Sequence, residues 1–366
     1  MFTNYQDCVL NYVASVRQYL NLESAYQPNA AFSQYLQDKQ PKQIIMLLID
    51  GMGSRLIERK LDKETFLRRN LFSETATVFP PTTTAATASI LNGRSPNMNA
   101  WLGWFQYYKE VKDIIIPFFG KGGYSHKEYG KNFAWETIPT PNIIDELKAR
   151  GIGAHDLYPA FREGGSSTIE EMVDHIVDDS FNSKDRFIYA YWDFYDSIMH
   201  DYGPDDELSD AYLMSINNLL ENASKDLNQG TMLIVLADHG QIEVKKQIDV
   251  VDTPLNQYLC RPTSLEARAT AFYLKPGTNE TFEKTFKENY ADDFILLTHQ
   301  QVLDSHLFGD QRNHERFEEL IGDYLAIAKN NTVFVYNFKG QGLANKGQHA
   351  GCHVDERMIP IITFMN

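Results

Sequence analysis

Acidic and histidine side chains follow three apolar runs of the sequence, where together they could bind metal ions. Asp50 ends the run "QIIMLLID", residues 43–50, and Asp238 with His239 ends "TMLIVLADHG", residues 231–240. After a third run, "RFIYAYWDFYD", the motif "DSIMH" contains Asp196 and His200, whose spacing of four places them on one face of a helix. Carboxylate and imidazole ligands in this mixture suit two zinc ions, or manganese or iron, better than magnesium.

Three adjacent threonines, Thr82, Thr83 and Thr84, lie in "FPPTTTAATASILNG", residues 79–93, at the start of a predicted helix. Capping the helix is the ordinary role of a threonine there. A threonine hydroxyl is a weak nucleophile at neutral pH, but a divalent metal ion beside it would favour loss of its proton. The free N–H groups of the helix N-terminus would also bind an anion. With two metal ions, this segment indicates phosphoryl or sulfuryl transfer.

A segment near the C-terminus, "GQHAGCHVDERMIP", offers His349, Cys352 and His353 as further ligands. A zinc knuckle built from these residues alone would need a second close pair of ligands, which the sequence lacks. We therefore expect one of the two histidines to join the carboxylates that follow the strands.

The elements that must position these groups alternate between strands and helices. Such alternation predicts an α/β fold with a mostly parallel central sheet and helices on both faces. The carboxyl ends of its strands, where ligands bind in such sheets, would then bring the acidic and histidine groups to one edge. Strands are predicted at 43–50, 74–79, 186–196 and 231–240, a helix and strand in "PNIIDELKARGIGAHDLYPAF", and helices over residues 1–40 and from about 206.

The regular alternation stops after residue 240, which predicts a smaller inserted cap. "ARATAFYLKPG" indicates a strand there, whereas "NETFEKTFKENYADDF" and "NHERFEELIGDYLAIA" indicate helices. "NNTVFVYNF" and "RMIPIITF" are predicted to return to the core sheet. The predicted domains are thus a catalytic core of residues 1–239 and 331–366 and a cap of residues 240–330.

The composition limits the classes of function. The 366 residues carry a net charge of -15, which argues against binding nucleic-acid duplexes, because such proteins need a basic surface. The three cysteines are widely spaced and odd in number, so a reducing compartment fits them better than a disulfide framework. Polar residues interrupt each apolar run of the first 20 residues, so we expect a cytoplasmic protein without a signal peptide or membrane partner.

The order of these motifs resembles the alkaline phosphatase superfamily, and within it the type I phosphodiesterase/nucleotide pyrophosphatase family. An aspartate after the first strand, a threonine in a proline-led turn, "D-S-x-x-H", "D-H-G" and a final histidine follow one another between residues 44 and 366. The resemblance implies an alkaline-phosphatase-like fold and hydrolysis of a small-molecule phosphate ester, with a nucleotide among the candidates, through a phosphothreonine intermediate.

The resemblance also implies a role for each residue. Matching "SILNG" to the family's "S-I-V-T-G" makes Thr83 the nucleophile and Thr82 the runner-up. His349 is preferred to His353 because Met358 follows it by nine residues, as in the family. The two divalent ions, zinc before manganese or iron, would have the following ligands: Asp196, His200 and His349 for one, and Asp50, Asp238, His239 and the Thr83 oxygen for the other.

One departure from the family leaves the substrate class open. The family's diesterases place an asparagine after the nucleophile helix to bind a phosphate oxygen, and this position falls near Trp104 here. Asn97 or Asn99 could replace it, and the aromatic run 101–108 could either contact substrate or pack a lid onto the sheet. A phosphomonoesterase or phosphonate hydrolase is therefore an alternative, and an inactive metal-binding or ligand-binding protein on this scaffold is another.

Overall fold

The computed structural model describes residues 2–366 as helices and strands in close alternation. The helices are α1 Val9–Tyr19, α2 Ala30–Lys39, α3 Ser54–Lys60, α4 Phe66–Arg69, α5 Thr83–Asn92, α6 Pro96–Asn99, α7 Phe133–Thr137, α8 Ile143–Ala149, α9 Ile169–Ser180, α10 Phe194–Tyr202, α11 Glu207–Ser224, α12 Asn279–Tyr290, α13 His299–Asp304, α14 Phe317–Leu320 and α15 Val354–Arg357. The strands are β1 Gln43–Ile49, β2 Leu71–Ala76, β3 Gln106–Tyr108, β4 Asp113–Ile116, β5 Lys121–Gly122, β6 Gly153–Leu157, β7 Asp185–Trp192, β8 Thr231–Leu236, β9 Ile242–Glu243, β10 Lys246–Asp249, β11 Ser264–Leu265, β12 Ala269–Phe272, β13 Phe294–Thr298, β14 Tyr324–Ala328, β15 Thr332–Val335, β16 Gly347–Gln348 and β17 Met358–Met365.

The central sheet confirms the predicted α/β fold. Its strand order is β2-β17-β8-β1-β7-β6, and β1 pairs in parallel with both β7 and β8. Every residue of β1 is buried, because helices cover both faces of the sheet, and this explains why its sequence is continuously apolar. Only β17 runs against its neighbours, β2 and β8. The sheet is therefore mixed but mostly parallel.

The helices around the sheet follow the sequence closely. The helical stretch predicted for residues 1–40 consists of α1 and α2, and Asn29 begins α2 by accepting a hydrogen bond from the backbone N–H of Phe32. Helix α9 buries Met172, Val173 and Ile176 on one face. Among residues 2–366, no helix is both long enough and apolar enough to cross a bilayer.

A second, antiparallel sheet with strand order β11-β12-β14-β13 forms the centre of the cap segment. Two predictions in this part of the chain are wrong. The helix predicted in "NHERFEELIGDYLAIA" ends at Leu320, and Tyr324–Ala328 is a fully buried strand, because a short apolar run fits either element. The predicted core strand in "NNTVFVYNF" forms β15, which pairs with β10 instead of joining the central sheet.

Residues of the segment 100–138 pack against the cap segment, which the sequence did not indicate. This segment contains the small sheet β3-β4-β5, and Phe105 forms a backbone bridge with Leu265 next to the cap sheet. Trp101, Tyr108 and Ile115 share one hydrophobic cluster with cap residues such as Leu265 and Ile327. The domain boundaries at residues 240 and 330 remain a prediction. The segment 100–138 packs against the predicted cap.

Candidate active site

The carboxyl ends of β1, β7 and β8 meet at the middle of the central sheet. These strands are neighbours, so Asp50 after β1 and Asp238 after β8 lie beside α10, which follows β7 and carries Asp196. Two groups of buried side chains with closely spaced ligand atoms result: Asp50, Asp238 and His239 in one, and Asp196, His239 and His349 in the other. The structure thus brings the predicted metal ligands together, and His239 belongs to both groups.

The first group concentrates negative charge away from water. Nε2 of His239 lies 3.3 Å from Oδ1 of Asp50 and 3.6 Å from Oδ2 of Asp238. Those two carboxylate oxygens are buried and have no hydrogen-bond partner. Burial, reinforced by the charges of Asp238 and Asp196, raises the pKa of Asp50 well above its usual value. Two facing carboxylates with orphaned oxygens fit a cation, which would satisfy both.

In the second group, His349 comes from the loop after β16, and His200 on α10 lies beside Asp196 without being one of the three clustered residues. Nε2 of His200 lies 3.1 Å from Oδ2 of Asp196, and its ring centroid lies 5.2 Å from that of His349. Burial alone would raise the pKa of Asp196, but His200 lowers it below the usual value. Burial and the neighbouring His239 lower the pKa of His349 well below its usual value, so this histidine is neutral, as a metal ligand must be.

The main chain fixes the orientation of all three histidines. Their Nδ1 atoms face carbonyl oxygens, of Gly347 at 2.8 Å for His200, of Gly240 at 3.1 Å for His239 and of Pro81 at 3.1 Å for His349. A carbonyl only accepts hydrogen bonds, so each Nδ1 carries a proton and each Nε2 is the ring atom turned towards the two groups. Because this is how metal-binding histidines are usually held, the donor set fits two divalent ions.

The threonine stretch provides the side chain nearest to these groups. Thr83 is the first residue of α5, and its Oγ1 lies 3.2 Å from Nε2 of His239 and 3.4 Å from Oδ2 of Asp50. The hydroxyl of Thr82 points elsewhere and donates a 2.6 Å hydrogen bond to the cap residue Glu266. The geometry therefore favours Thr83 over Thr82 as the nucleophile. Oγ1 of Thr84 is buried without a hydrogen-bond partner.

Close contacts at Gly51 let the turn after β1 approach α10. Gly51 has a φ of +75°, and a Cβ there would lie 2.7 Å from Cε of Met199 and 2.9 Å from Oδ1 of Asp196. Its N–H donates a 3.2 Å hydrogen bond to Oδ1 of Asp238. Glycine at this position thus allows the turn that carries Asp50 to lie against both neighbouring ligand segments.

A cavity of about 1040 Å³ opens beside Thr83. Aromatic side chains form much of its wall, among them Trp104, Phe118, Phe119, Trp135, Phe161 and Tyr191. The cavity therefore offers flat apolar surfaces to a bound molecule.

Charged residues also line this cavity, and several of them pair with one another. Lys121 lies 3.3 Å from Glu128, and Arg162 lies 3.1 Å from Asp156. Asp193, which follows β7, is half-buried, and burial raises its pKa. The cavity thus presents paired surface charges together with a carboxylate close to the metal-binding groups.

The structure corrects the expectations for the missing phosphate ligand. Asn97 donates hydrogen bonds to Gln311 and Asn313, and Asn99 contacts Ser89, so both amides hold loops together and neither lines the cavity. Trp104, near which the sequence comparison placed the family's asparagine, lines the cavity instead. The aromatic run is predicted either to pack onto the sheet or to contact substrate. Trp101 is fully buried, as expected for packing, whereas Trp104 lines the cavity, where a substrate could reach it.

The other C-terminal candidates lie outside the two groups. His353 is the N-cap residue of α15, and its Nδ1 lies 3.5 Å from Oδ1 of Asp355. The thiol of Cys352 donates a hydrogen bond to the carbonyl of Ala328.

The sequence interpretation missed three polar residues that contact the site. Gln241 donates to Asp196, Tyr191 donates to Asp50, and Glu266 accepts from Thr82. Gln241 lies two residues after His239, so its closeness in sequence was the one available signal.

Comparison with known proteins gives one family and one fold. A family model described as type I phosphodiesterase / nucleotide pyrophosphatase matches residues 104–353. This range includes the predicted ligands from Asp196 to His349 and begins after Asp50 and Thr83. No curated protein matches the chain by sequence.

Solved structures resemble the chain over most of its length. Murine ectonucleotide pyrophosphatase / phosphodiesterase 5 aligns with a TM-score of 0.67 at 15% identity, covering 87% of each chain. Its inactive threonine-to-alanine variant in complex with AMP aligns with a TM-score of 0.63 at 15% identity and the same coverage. Phosphonoacetate hydrolase from Sinorhizobium meliloti, in complex with phosphonoformate, aligns with a TM-score of 0.67 at 14% identity, and the alignment covers 88% of this chain and 90% of that chain. At these identities the likeness shows the fold alone.

Proposed function

The chain belongs to the type I phosphodiesterase / nucleotide pyrophosphatase family, and on that premise we propose that it is a metal-dependent phosphodiesterase with Thr83 as its nucleophile. The observation that carries the proposal is the position of the Thr83 hydroxyl, 3.2 Å from His239 and 3.4 Å from Asp50, at the wall of the aromatic cavity. A nucleophile, metal ligands and a space for the substrate thus meet at one point.

The proposed ligands for two divalent ions are those implied by the resemblance. Asp196, His200 and His349 would hold one ion, and the other would be held by Asp50, Asp238, His239 and Thr83. His239 lies close to both sets, His200 contacts Asp196, and Thr83 contacts Asp50 and His239. When bound, two such ions favour loss of the threonine proton and offset the charge of the leaving oxygen. The nitrogen and oxygen ligands suit zinc, with manganese and iron as alternatives.

The reaction proposed for these residues has two steps. The hydroxyl of Thr83 gives its proton to solvent and Oγ1 attacks phosphorus; the bond to the leaving oxygen breaks, that oxygen keeps the electron pair, and a phosphothreonine forms. The free N–H groups at the start of α5 would donate hydrogen bonds to the phosphate oxygens, as helix N-termini do. Water then attacks phosphorus and releases a proton to solvent, while the bond to Oγ1 breaks and Oγ1 takes up a proton, which restores the hydroxyl. Two in-line displacements give net retention of configuration at phosphorus, so inversion with a chiral phosphorothioate diester would exclude this route.

The cavity supports a diester whose second ester arm is flat and apolar. Trp104 and the other aromatic rings of its wall could stack on a nucleobase or an aryl group, a contact worth about 1 to 3 kcal/mol per base. The murine relative crystallised with AMP supports a nucleotide as one such substrate. The proposed substrate class is therefore a small phosphate ester, and an ester of a nucleotide is one member of this class.

A phosphonate hydrolase or phosphomonoesterase is the second candidate. The observation that favours it is the equal structural similarity to a phosphonoacetate hydrolase, together with cationic groups of Lys121 and Lys131 at the cavity. An acidic group on the substrate could bind to these lysines, although Lys121 already pairs with Glu128.

Hydrolysis of three substrates separates these candidates. We expect turnover of bis(p-nitrophenyl) phosphate to exceed that of p-nitrophenyl phosphate and of phosphonoacetate, and a chelator to abolish it. A preference for the monoester or the phosphonate would establish the second candidate. A protein that binds two zinc ions and turns over none of the three would be an inactive metal-binding protein on this scaffold.

A further inference from the structure

A turn of the cap, residues 265–268 between β11 and β12, inserts two ionisable side chains into the protein interior. Arg268 is fully buried and Glu266 is 8% exposed. The turn itself begins at Leu265, which has a φ of +70°, an unusual conformation for a residue other than glycine. Neither charged side chain reaches the bulk solvent, so each must be held by partners inside the protein.

Arg268 is fully engaged by partners from other segments. Its Nε and Nη2 donate to the two carboxylate oxygens of Glu356 at 2.6 and 2.9 Å, which is the bidentate arrangement of strong ion pairs. Its Nη1 donates to the carbonyls of Asn330 and Thr332 at 2.6 and 2.8 Å. The guanidinium therefore has one orientation, fixed by both the cap and the C-terminal segment.

Glu356 carries this contact to the loop that contains His349. Besides Arg268, its carboxylate accepts hydrogen bonds from the backbone N–H groups of Gly351 at 2.7 Å and His353 at 3.0 Å. A Cβ on Gly351 would lie 2.7 Å from Nη2 of Arg268, so the loop lies directly against the guanidinium. The carbonyl of Glu356 also accepts from the N–H of Gly240, which follows His239. Glu356 thus contacts two of the three segments that carry histidine ligands, those of His239 and His349.

Glu266, on the same turn, holds the nucleophile segment. Its Oε1 accepts a 2.6 Å hydrogen bond from the hydroxyl of Thr82 and a 2.7 Å hydrogen bond from the N–H of Trp104. Thr82 is the N-cap residue of α5, whose first residue is Thr83. Glu266 therefore joins the start of α5 to the Trp104 segment at the cavity wall.

We propose that the 265–268 turn is a positioning element that holds the His349 loop through Arg268 and the start of α5 through Glu266. The cap would then do more than cover the substrate, because it fixes a metal ligand and the nucleophile relative to each other. This inference rests on the proposed function for the role of Thr83, but its effect on metal binding can be measured without any turnover.

Zinc affinity is the first test, measured by competition with a chromophoric chelator. Replacing Arg268 with lysine keeps the charge but removes the bidentate contact, and R268M/E356M replaces the pair by apolar side chains of similar volume, which buried pairs often tolerate. We expect two zinc ions in the wild type and, in both variants, one ion bound about 10- to 100-fold more weakly, as for other residues that orient metal ligands. Unchanged affinities for both ions would overturn the proposal.

Matched variants separate positioning from loss of folding. Arg17→Lys alters the ion pair between the buried Arg17 and the half-buried Glu146, which are 2.7 Å apart and lie away from the 349–353 loop. We expect this variant to have a lower unfolding temperature and an unchanged zinc affinity. If R268K and R268M/E356M lose their cooperative unfolding transition, the ion pair is structural and the proposal fails. Wild type that binds two zinc ions without hydrolysing any phosphodiester would refute the proposed function and leave the metal result intact.

Glu266 is tested by kinetics in the zinc-loaded protein. Both contacts are accepted by Oε1, so Glu266→Gln can keep them, whereas Glu266→Ala removes them. We expect E266A to lower kcat about tenfold with little change in KM, and E266Q to restore most of it. Equal kcat values in E266A and wild type would show that Glu266 does not position the nucleophile.

Discussion

The hydroxyl oxygen of Thr83 lies 3.2 Å from Nε2 of His239, whereas the hydroxyl of the adjacent Thr82 donates to Glu266 on the cap. Neighbouring residues of the same type therefore have different surroundings. One faces the metal-binding groups and the cavity, and the other anchors the start of α5. This difference leads to the first prediction.

Replacing Thr83 with alanine should abolish turnover and keep both metal ions. Loss of a nucleophile lowers kcat by at least about a thousandfold, whereas the carboxylate and imidazole ligands remain. Thr82→Val is the matched control, and we expect its kcat to stay within about tenfold of the wild type. Steady-state kinetics with bis(p-nitrophenyl) phosphate and metal analysis of each variant measure both effects. Comparable kcat values for the two variants would remove Thr83 as the nucleophile.

Replacing Asp50 with asparagine should have opposite effects with and without metal. In the metal-free protein, burial and the charge of Asp238 raise the pKa of Asp50, so keeping it ionised at pH 8 destabilises the fold. We expect D50N to raise the free energy of unfolding in chelator and to weaken zinc binding. Urea unfolding with and without zinc measures both, with the exposed Asp7→Asn as control. A metal-free D50N protein less stable than wild type would contradict this interpretation.

The aromatic cavity should select the ester arm of the substrate. Trp104 lines the cavity, and loss of its stacking surface in Trp104→Ala should raise KM for thymidine 5′-(p-nitrophenyl phosphate) about 5- to 100-fold. Methyl p-nitrophenyl phosphate has the same leaving group but no flat arm, so its KM should change little. Phe181→Ala, at an exposed side chain that does not line the cavity, is the control variant. Equal effects of W104A on the two diesters would place the arm elsewhere.

The buried carboxyl of Glu266 should make the stability of the metal-free protein depend on pH. Burial raises the pKa of Glu266 from 4.5 to about 7, although the hydrogen bond from Thr82 by itself lowers this pKa. Because the folded state then holds the proton more tightly, the stabilising effect is complete below pH 4.5 and is lost as the pH rises through 7. The shift corresponds to roughly 3 kcal/mol between those limits.

The comparison of wild type with Glu266→Gln isolates this contribution. Glutamine does not titrate, so only the wild type should lose this stabilisation as the pH rises. In the presence of chelator, the free energy of unfolding of the wild type relative to E266Q should therefore fall by roughly 3 kcal/mol from pH 4.5 to pH 8. A difference that stays constant over this range would show that Glu266 titrates normally.

The central sheet and its metal-binding edge could be predicted from the sequence because their signals are local. A continuous apolar run such as 44–49 is the pattern of a strand buried on both faces, and Asp50 and Asp238 directly follow such runs. Neighbouring parallel strands end at the same edge, so the meeting of these groups follows from the fold class. The family resemblance rested on the same ordered motifs.

Other features depend on partners that are distant in the chain. The hydroxyls of Thr82 and Thr83 differ because Thr82 donates to Glu266, which lies 184 residues away in the sequence. The His349 loop is likewise held through the pair of Arg268 and Glu356, which are 88 residues apart. The run 324–328 is short and apolar, and only its pairing with β12 and β13 makes it a strand. The sequence therefore determined which groups end the central strands. The tertiary structure decided which threonine faces them and how the cap holds them, because side-chain contacts between distant segments leave no periodic pattern in the sequence.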